Sequence, residues 1–255
     1  MKKPIIGIFS LTSCEGCQFT FLELGKKFFD FLRKIELIDF PLVEESPFPK
    51  GKIKIDIAFI EGNPITKRDF LLLKKIREES KILVALGNCA ALGGIPEMKN
   101  YQGKERTIRY IYKRLNHIFN PQIKEIDNFV KVDFVIPGCP ISGEEFLKFI
   151  KFLIKGKIPK ISEKPICTEC LFQGKKNCFL KKKEPCLGPI ILAGCGAICP
   201  KNNLLCYGCR GILEKINPQN FLSMLKKFKT REEIEDNLEI FGIKDNIEQN
   251  SIKSK

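Results

Sequence analysis

Residues 4–32 read PIIGIFSLT-SCEGCQ-FTFLELGKKFFDFL, and this stretch decides the fold. An apolar run leads in, and a run with helically spaced apolar residues leads out. Between a strand and a helix of this kind a nucleotide-binding protein carries glycines, which cradle a phosphate at the helix start. Here the turn carries two thiols, Cys14 and Cys17, with Gly16 before the second. A thiol pair at that place needs its own anion, or its own metal.

The chain around it alternates in the same way. Buried strands are predicted over 4–10, 55–62 (IDIAFIEG), 81–87 (KILVALG) and 130–138 (VKVDFVIPG). Helices are predicted over 18–33, where Phe19, Leu22, Phe29 and Leu32 stand at helical spacing, and over 66–80, with Thr66 as N-cap. Two more are predicted over 105–117 and 142–154, and a Gly-rich loop, NCAALGGIPE, over 88–97. Continuous apolar strands alternating with helices make an α/β domain, its parallel sheet covered on both faces. From Pro159 to Gly211 periodicity is lost, and eight of the twelve cysteines crowd into 167–209. Such a stretch buries too little apolar surface to order itself, so bound metal has to supply what a core cannot. Helices return over 217–228 and 230–241, the second opened by a Thr230–Glu233 capping box, and the end from Asp245 is expected to fray. The resulting division is 1–158, 159–211 and 212–255.

Twelve cysteines in 255 residues point to metal, because clustered thiols in a reducing compartment hold metal more often than they pair as disulfides. Disulfides stay open for a hyperthermophile, and the richness in Lys, Ile and Glu suits one. No apolar run reaches the length of a membrane span. The N-terminus has a basic start and a short apolar stretch, but it leads into a Cys pair rather than a cleavage site, and no twin arginine is present. A cytoplasmic protein is expected. The formal charge of +14 invites a nucleic-acid reading. The lysines, however, are spread, with one short cluster at Lys181–Lys183. Each four-thiolate iron–sulfur cluster would also carry roughly −2, so three would bring +14 to about +8. A solvated basic face is the favoured reading, with no nucleic-acid partner.

The four early cysteines share one property. Cys14 and Cys17 follow the first strand, Cys89 follows KILVALGN, and Cys139 follows VDFVIPG. Each lies just past the carboxyl end of a predicted parallel strand, where an open α/β sheet borders its binding crevice. Three loops distant in sequence can thus deliver four sulfurs to one point, at helix N-termini that favour anions. Zinc also accepts four thiolates. A redox-active CxxC leaves ten cysteines unexplained, and inert core cysteines would not track Gly-rich turns. The later block holds Cys167, Cys170, Cys178, Cys186, Cys195, Cys199, Cys206 and Cys209. Eight sulfurs make two four-thiolate sites. The simplest partition is sequential, with Cys186 and Cys195 open to exchange.

LTSCEGCQ, DIAFIEG, ALGNCAALGGIP, IPGCP and CLGP…AGCGAICP…CYGCRG, spread over residues 11–211, resemble the small subunit of cytoplasmic [NiFe] hydrogenases, of the F420-non-reducing and sulfhydrogenase delta kind. The first half also resembles the cluster-bearing small subunit of respiratory complex I, which lacks the later eight cysteines. The resemblance implies a flavodoxin-like domain with a proximal [4Fe–4S] cluster on Cys14, Cys17, Cys89 and Cys139, followed by a mostly irregular iron–sulfur domain and C-terminal helices. It implies a medial cluster, here Cys195, Cys199, Cys206 and Cys209, and a distal one, here Cys167, Cys170, Cys178 and Cys186. Membrane-bound relatives use a His in the distal site. Here that position is Cys167, and the only His, His117, falls in a predicted helix away from every thiol cluster.

The implied activity is that of an oxidoreductase subunit with no acid, base or nucleophile of its own. It would relay electrons from H2, split by a separate nickel–iron large subunit, through three [4Fe–4S] clusters. The acceptor would be a further subunit: a flavoprotein, or one of heterodisulfide reductase or ferredoxin type. Glu15 and Glu61 are candidates to tune the proximal cluster or meet the large subunit, against plain surface solvation. The competing readings are a zinc-stabilised interaction module and a quinone-coupled relay of the complex I type.

Overall fold

A computed structural model describes residues 3–42, 54–101 and 122–253, which form two compact units, Met1–Pro159 and Lys160–Lys255. The predicted helix over 105–117 and His117 lie outside the described residues.

The first unit holds a five-stranded sheet in the order β2-β1-β3-β4-β5, every pairing parallel. The strands are β1 (Ile5–Ser10), β2 (Glu36–Asp39), β3 (Ile55–Glu61), β4 (Ser80–Leu86) and β5 (Phe134–Ile136). This is the flavodoxin-like order, and its topological switch lies between β1 and β3. Both faces of β3 are buried. Phe59 meets Phe146 of the helix Gly143–Ile154, with ring centroids 5.0 Å apart. Ala58 and Ile60 join Leu73 and Ile76 of α3 (Lys67–Glu79) in a second apolar cluster. Thr66 caps α3 in a full capping box with Asp69, and Ser142 caps Gly143–Ile154.

Three expectations are corrected here. The helix expected over 18–33 is two helices, α1 (Gly16–Glu23) and α2 (Lys26–Leu32), broken where Gly25 turns to φ +52°. The break resets the phase, so Phe21, Phe28 and Phe31 point inward, while Phe19 and Phe29 are 54% and 62% exposed. Cys17, buried one turn before Phe21, shares the inward face. The Gly-rich loop over 88–97 begins as a helix, α4 (Gly87–Leu92), because Ala90 and Ala91 favour helix until Gly93 turns to φ +85°. Strand β5 spans three residues, not nine. On its N-terminal side the Asp133 carboxylate, not a strand backbone, accepts from Leu83 N–H at 2.9 Å, and Pro137 follows the strand.

The second unit opens with short helical turns and isolated bridges such as Pro165–Leu192 and Ile191–Ile212. Helices Pro218–Leu225 and Arg231–Glu239 follow, the latter capped by the Thr230–Glu233 box. The end does not fray at Asp245 as expected: Ile243–Lys253 is helical, anchored by buried Ile243 and Ile247.

Phe146 also packs on Phe21, at 4.2 Å between centroids. Phe146→Ala is therefore expected to cost about 3–5 kcal/mol in denaturant unfolding of the purified chain. Phe152→Ala, on the same helix but 47% exposed, should stay within about 0.5 kcal/mol.

Candidate metal centres

Four neighbouring strands of the sheet each deliver one part of a site at their carboxyl ends. Beyond β1 come Cys14 and Cys17, beyond β4 comes Cys89 in the first turn of α4, and beyond β5 comes Cys139. The remaining strand, β3, lies between β1 and β4 and carries no cysteine; it ends on Glu61. The four thiols feel one another electrostatically: Cys17 couples to Cys89 and Cys139, and both of those couple to Cys14 or to each other. Glu61 acts on Cys17, Cys89 and Cys139 alike.

The turn at Cys14–Cys17 is fixed from inside the sheet. Glu61 is 3% exposed, which rules out plain surface solvation. Its Oε1 accepts from Cys17 N–H at 3.0 Å, and its Oε2 accepts from Gln18 Nε2 at 3.2 Å. Glu15 takes the left-handed conformation at φ 59°, so the chain reverses between the two thiols, leaving Cys14 exposed and Cys17 buried. On the far side Asn63 Nδ2 donates to Cys89 C=O at 2.8 Å, and Asn88 N–H donates to Gly138 C=O at 2.7 Å. The Cys89 and Cys139 loops are thereby tied to each other and to β3. Gly87, at φ +83°, has to be glycine: a Cβ there would sit 2.4 Å from Cys17 Sγ.

Burial pushes all three inner thiols up. Cys89 reaches about 11 and Cys139 about 12, helped in each case by neighbouring thiols and Glu61. Cys17 is pushed up further, by burial and then Glu61, against the Ile141 amide that hydrogen-bonds its sulfur. Without a cation the pocket keeps its protons. Bound metal reverses that balance, because a coordinated thiol is deprotonated outright.

In the second unit the eight later cysteines fall into neighbourhoods. Cys167, pushed up to about 12 by burial, is next influenced by Cys186, Cys170 and Cys178. Cys199 and Cys206 are pushed up first by burial; among thiols, Cys199 is then influenced by Cys195 and Cys186, and Cys206 by Cys186, Cys209 and Cys195 in that order. Cys186 borders both groups: it acts on Cys199 and Cys206, and its Sγ accepts from Cys206 N–H at 3.4 Å. A second amide, Phe172 N–H, donates to Cys170 Sγ at 3.4 Å. Gly188 leaves the wall open, since a Cβ there would lie 3.2 Å from Cys167 Sγ.

All twelve cysteines are free, so the disulfide reading is set aside. The residues fit iron–sulfur clusters on three counts. The donor sets are wholly sulfur, backbone amides already donate to sulfur, and glycines clear the space beside it. A zinc site would hold four sulfurs each about 2.3 Å from one ion. A cube of four irons asks for a wider set, one thiolate per iron.

Sequence reasoning missed two charged residues of the second unit. Glu169, between Cys167 and Cys170, accepts from the amides of Gly194 and Gly196, and Arg210, after Cys209, is buried. The signal was there in their placement beside the thiols, but charged residues on a Lys-rich chain read as surface.

The family described as NADH ubiquinone oxidoreductase, 20 Kd subunit, matches residues 14–153. Sulfhydrogenase 2 subunit delta of Pyrococcus furiosus is 35% identical over 242 residues, spanning 93% of this chain and 98% of the relative. The vhu F420-non-reducing hydrogenase of Methanocaldococcus jannaschii has a chain that is 32% identical over 240 residues, spanning 82% of each. Among solved structures, the actinobacterial-type NiFe-hydrogenase from Ralstonia eutropha H16 shares the fold, with a TM-score of 0.61 at 16% identity over 100% of this chain and 90% of that one.

The raised thiols fix a pH dependence for the metal-free chain. Unfolded thiols ionise near 9.0, while folded Cys89 and Cys139 hold their protons to about 11 and 12. Their contribution to stability is complete below the unfolded value and is lost as pH rises through the folded ones. The urea midpoint should therefore fall between pH 9.0 and about 11, and Cys89→Ser with Cys139→Ser should flatten that fall.

Proposed function

This chain belongs to the small-subunit family of [NiFe] hydrogenases, and we propose that it relays electrons between a nickel–iron large subunit and an acceptor subunit through three [4Fe–4S] clusters. As a member it is an iron–sulfur subunit of an oxidoreductase complex. The observation that carries the finer reading is the convergence of Cys14, Cys17, Cys89 and Cys139 at one end of the sheet, with Glu61 beneath them.

In this reading Cys14, Cys17, Cys89 and Cys139 hold the proximal cluster. Cys195, Cys199, Cys206 and Cys209 hold the medial one, and Cys167, Cys170, Cys178 and Cys186 the distal one. The electrostatic neighbourhoods of the later thiols favour this sequential partition, with Cys186 at the border. When bound, such a cluster supplies one-electron redox chemistry at a potential set by its surroundings. The chain's part is placement and field. Glu61 accepts from the Cys17 amide and places an acidic side chain beneath the pocket, its carboxyl pushed up from the usual range by burial. Ile141, Cys206 and Phe172 give amide hydrogen bonds to sulfur, which stabilise the more negative state. No side chain here has to move a proton.

Two surfaces suit two partners. Phe19 and Phe29, on the helices that follow the Cys14–Cys17 turn, are exposed aromatics of the kind that anchors an obligate interface, and we assign them to the large subunit. Around Cys178, Lys175, Lys176, Lys181, Lys182 and Lys183 are all exposed, which suits an acidic acceptor. The two relatives bear different names, one a sulfhydrogenase and one an F420-non-reducing hydrogenase. The acceptor is thus a choice made in the neighbouring subunit. No helix among the described residues is long and apolar enough to cross a membrane. We place the complex in the cytoplasm, where thiols stay reduced.

Anaerobic purification with the large subunit tests the reading. A brown complex with nickel, and four irons per cysteine set, supports it. A colourless chain with zinc overturns it. Gly87→Ala should remove one cluster's share of iron and acid-labile sulfide while the rest is kept. With H2 as donor, reduction of an acidic ferredoxin should slow as salt rises, whereas reduction of the cationic dye methyl viologen should not.

A further inference from the structure

The segment Leu192–Gly196 carries Cys195 between two glycines, and two side chains of opposite charge grip its backbone. Arg210 Nε donates to the carbonyls of Leu192 and Ala193, at 3.2 and 3.1 Å. Glu169 Oε2 accepts from the amides of Gly194 and Gly196, at 3.0 and 2.8 Å. The cation takes the acceptors and the anion takes the donors. Gly194 at φ 130°, Gly196 at φ 66° and Ala197 at φ 51° show how sharply the chain bends under this grip. Ala197 holds a conformation that an L-residue adopts only when its surroundings impose it.

Arg210 is 1% exposed, the largest fully buried side chain among the described residues. A guanidinium does not shed its proton in a protein, so its charge is buried as charge. A charge held out of water acts on its neighbours with little screening. Arg210 directly follows Cys209, and the segment it grips leads into Cys195. A four-thiolate cluster there would carry roughly −2.

We propose that Arg210 and Glu169 are the positioning pair of the second unit: they aim Cys195 by its backbone, and they bias the cluster beside it in opposite directions, Arg210 as standing counter-charge and Glu169 as opposing anion. This rests on the reading of Cys195, Cys199, Cys206 and Cys209 as one ligand set. Glu169 lies between two cysteines of the other set, so the same clamp ties the two ligand loops together.

The test uses the whole complex and two readouts: iron with acid-labile sulfide, and cluster potentials from redox titration followed by electron paramagnetic resonance. Glu169→Gln keeps an acceptor and loses the charge; with iron intact, one cluster potential shifts positive. Arg210→Met loses the charge and shifts it negative or loses that cluster. Arg210→Lys keeps the charge and stays closer to the parent than Arg210→Met in both readouts. Opposite shifts from the two sites are the signature, because loss of packing alone would not reverse sign. Potentials unmoved in Glu169→Gln, or Arg210→Lys as impaired as Arg210→Met, would overturn the proposal. A parent complex without iron–sulfur clusters would instead overturn the reading beneath it.

Discussion

Burying a thiol against other thiols keeps it protonated, and everything about this chain's sulfur sites follows from that. Cys17 is out of water, with Glu61 hydrogen-bonded to its amide and other thiols close by. Each of those surroundings disfavours the thiolate a metal needs. A bound cation reverses that preference, and in the proposed reading the iron of a cluster supplies it.

The sheet supports the first site because apolar packing on its faces holds the strand ends in place. Phe59, Phe146, Phe21 and the cluster around Ile60 and Leu73 fix the strands. The strand ends then fix the thiols. Glu61 extends that hold by one hydrogen bond, into the turn itself. The second unit has no comparable sheet among its described residues. Its cysteine loops are held by isolated bridges and by side chains that bond to backbone, as with Glu169 and Arg210. The same sulfur chemistry is served by strand ends in one unit and by charge-matched clamps in the other.

Most of this architecture was legible in the residues. Strands β1, β3 and β4 stand where their apolar runs put them, Thr66 and Thr230 cap where their boxes predicted, and the early cysteines lie past strand ends as their spacing required. The misreadings have physical causes. Apolar spacing could not see that Gly25 would break the first helix, and of its spaced residues Phe19 and Phe29 stand exposed in the fold. Glycines around Cys89 suggested a loop, although two alanines carry a helix through it. The C-terminal end looked too polar to hold, yet Ile243 and Ile247 are enough to seat a helix. In each case the local pattern was real, and a backbone angle, a neighbouring residue's propensity or a tertiary contact outweighed it.

The charged residues show the limit most clearly. Hydropathy assigns Glu61, Glu169 and Arg210 to solvent, yet Glu61 and Arg210 are buried and Glu169 is partly so. None could stay there on propensity. Glu61 is held by an amide of the CxxC turn, and Glu169 by two amides flanking Cys195; Arg210 is held by two carbonyls before it. In all three an ionisable side chain hydrogen-bonds backbone in or beside a thiol-carrying turn, and Glu61, its carboxyl pushed up by burial, also bonds the Gln18 side chain. That choice fixes sulfur position and local field with the same atoms. In the proposed reading the chain relays electrons, so position and field are what its side chains adjust. Its buried charges therefore sit where they can set both the geometry and the potential of what the thiols hold.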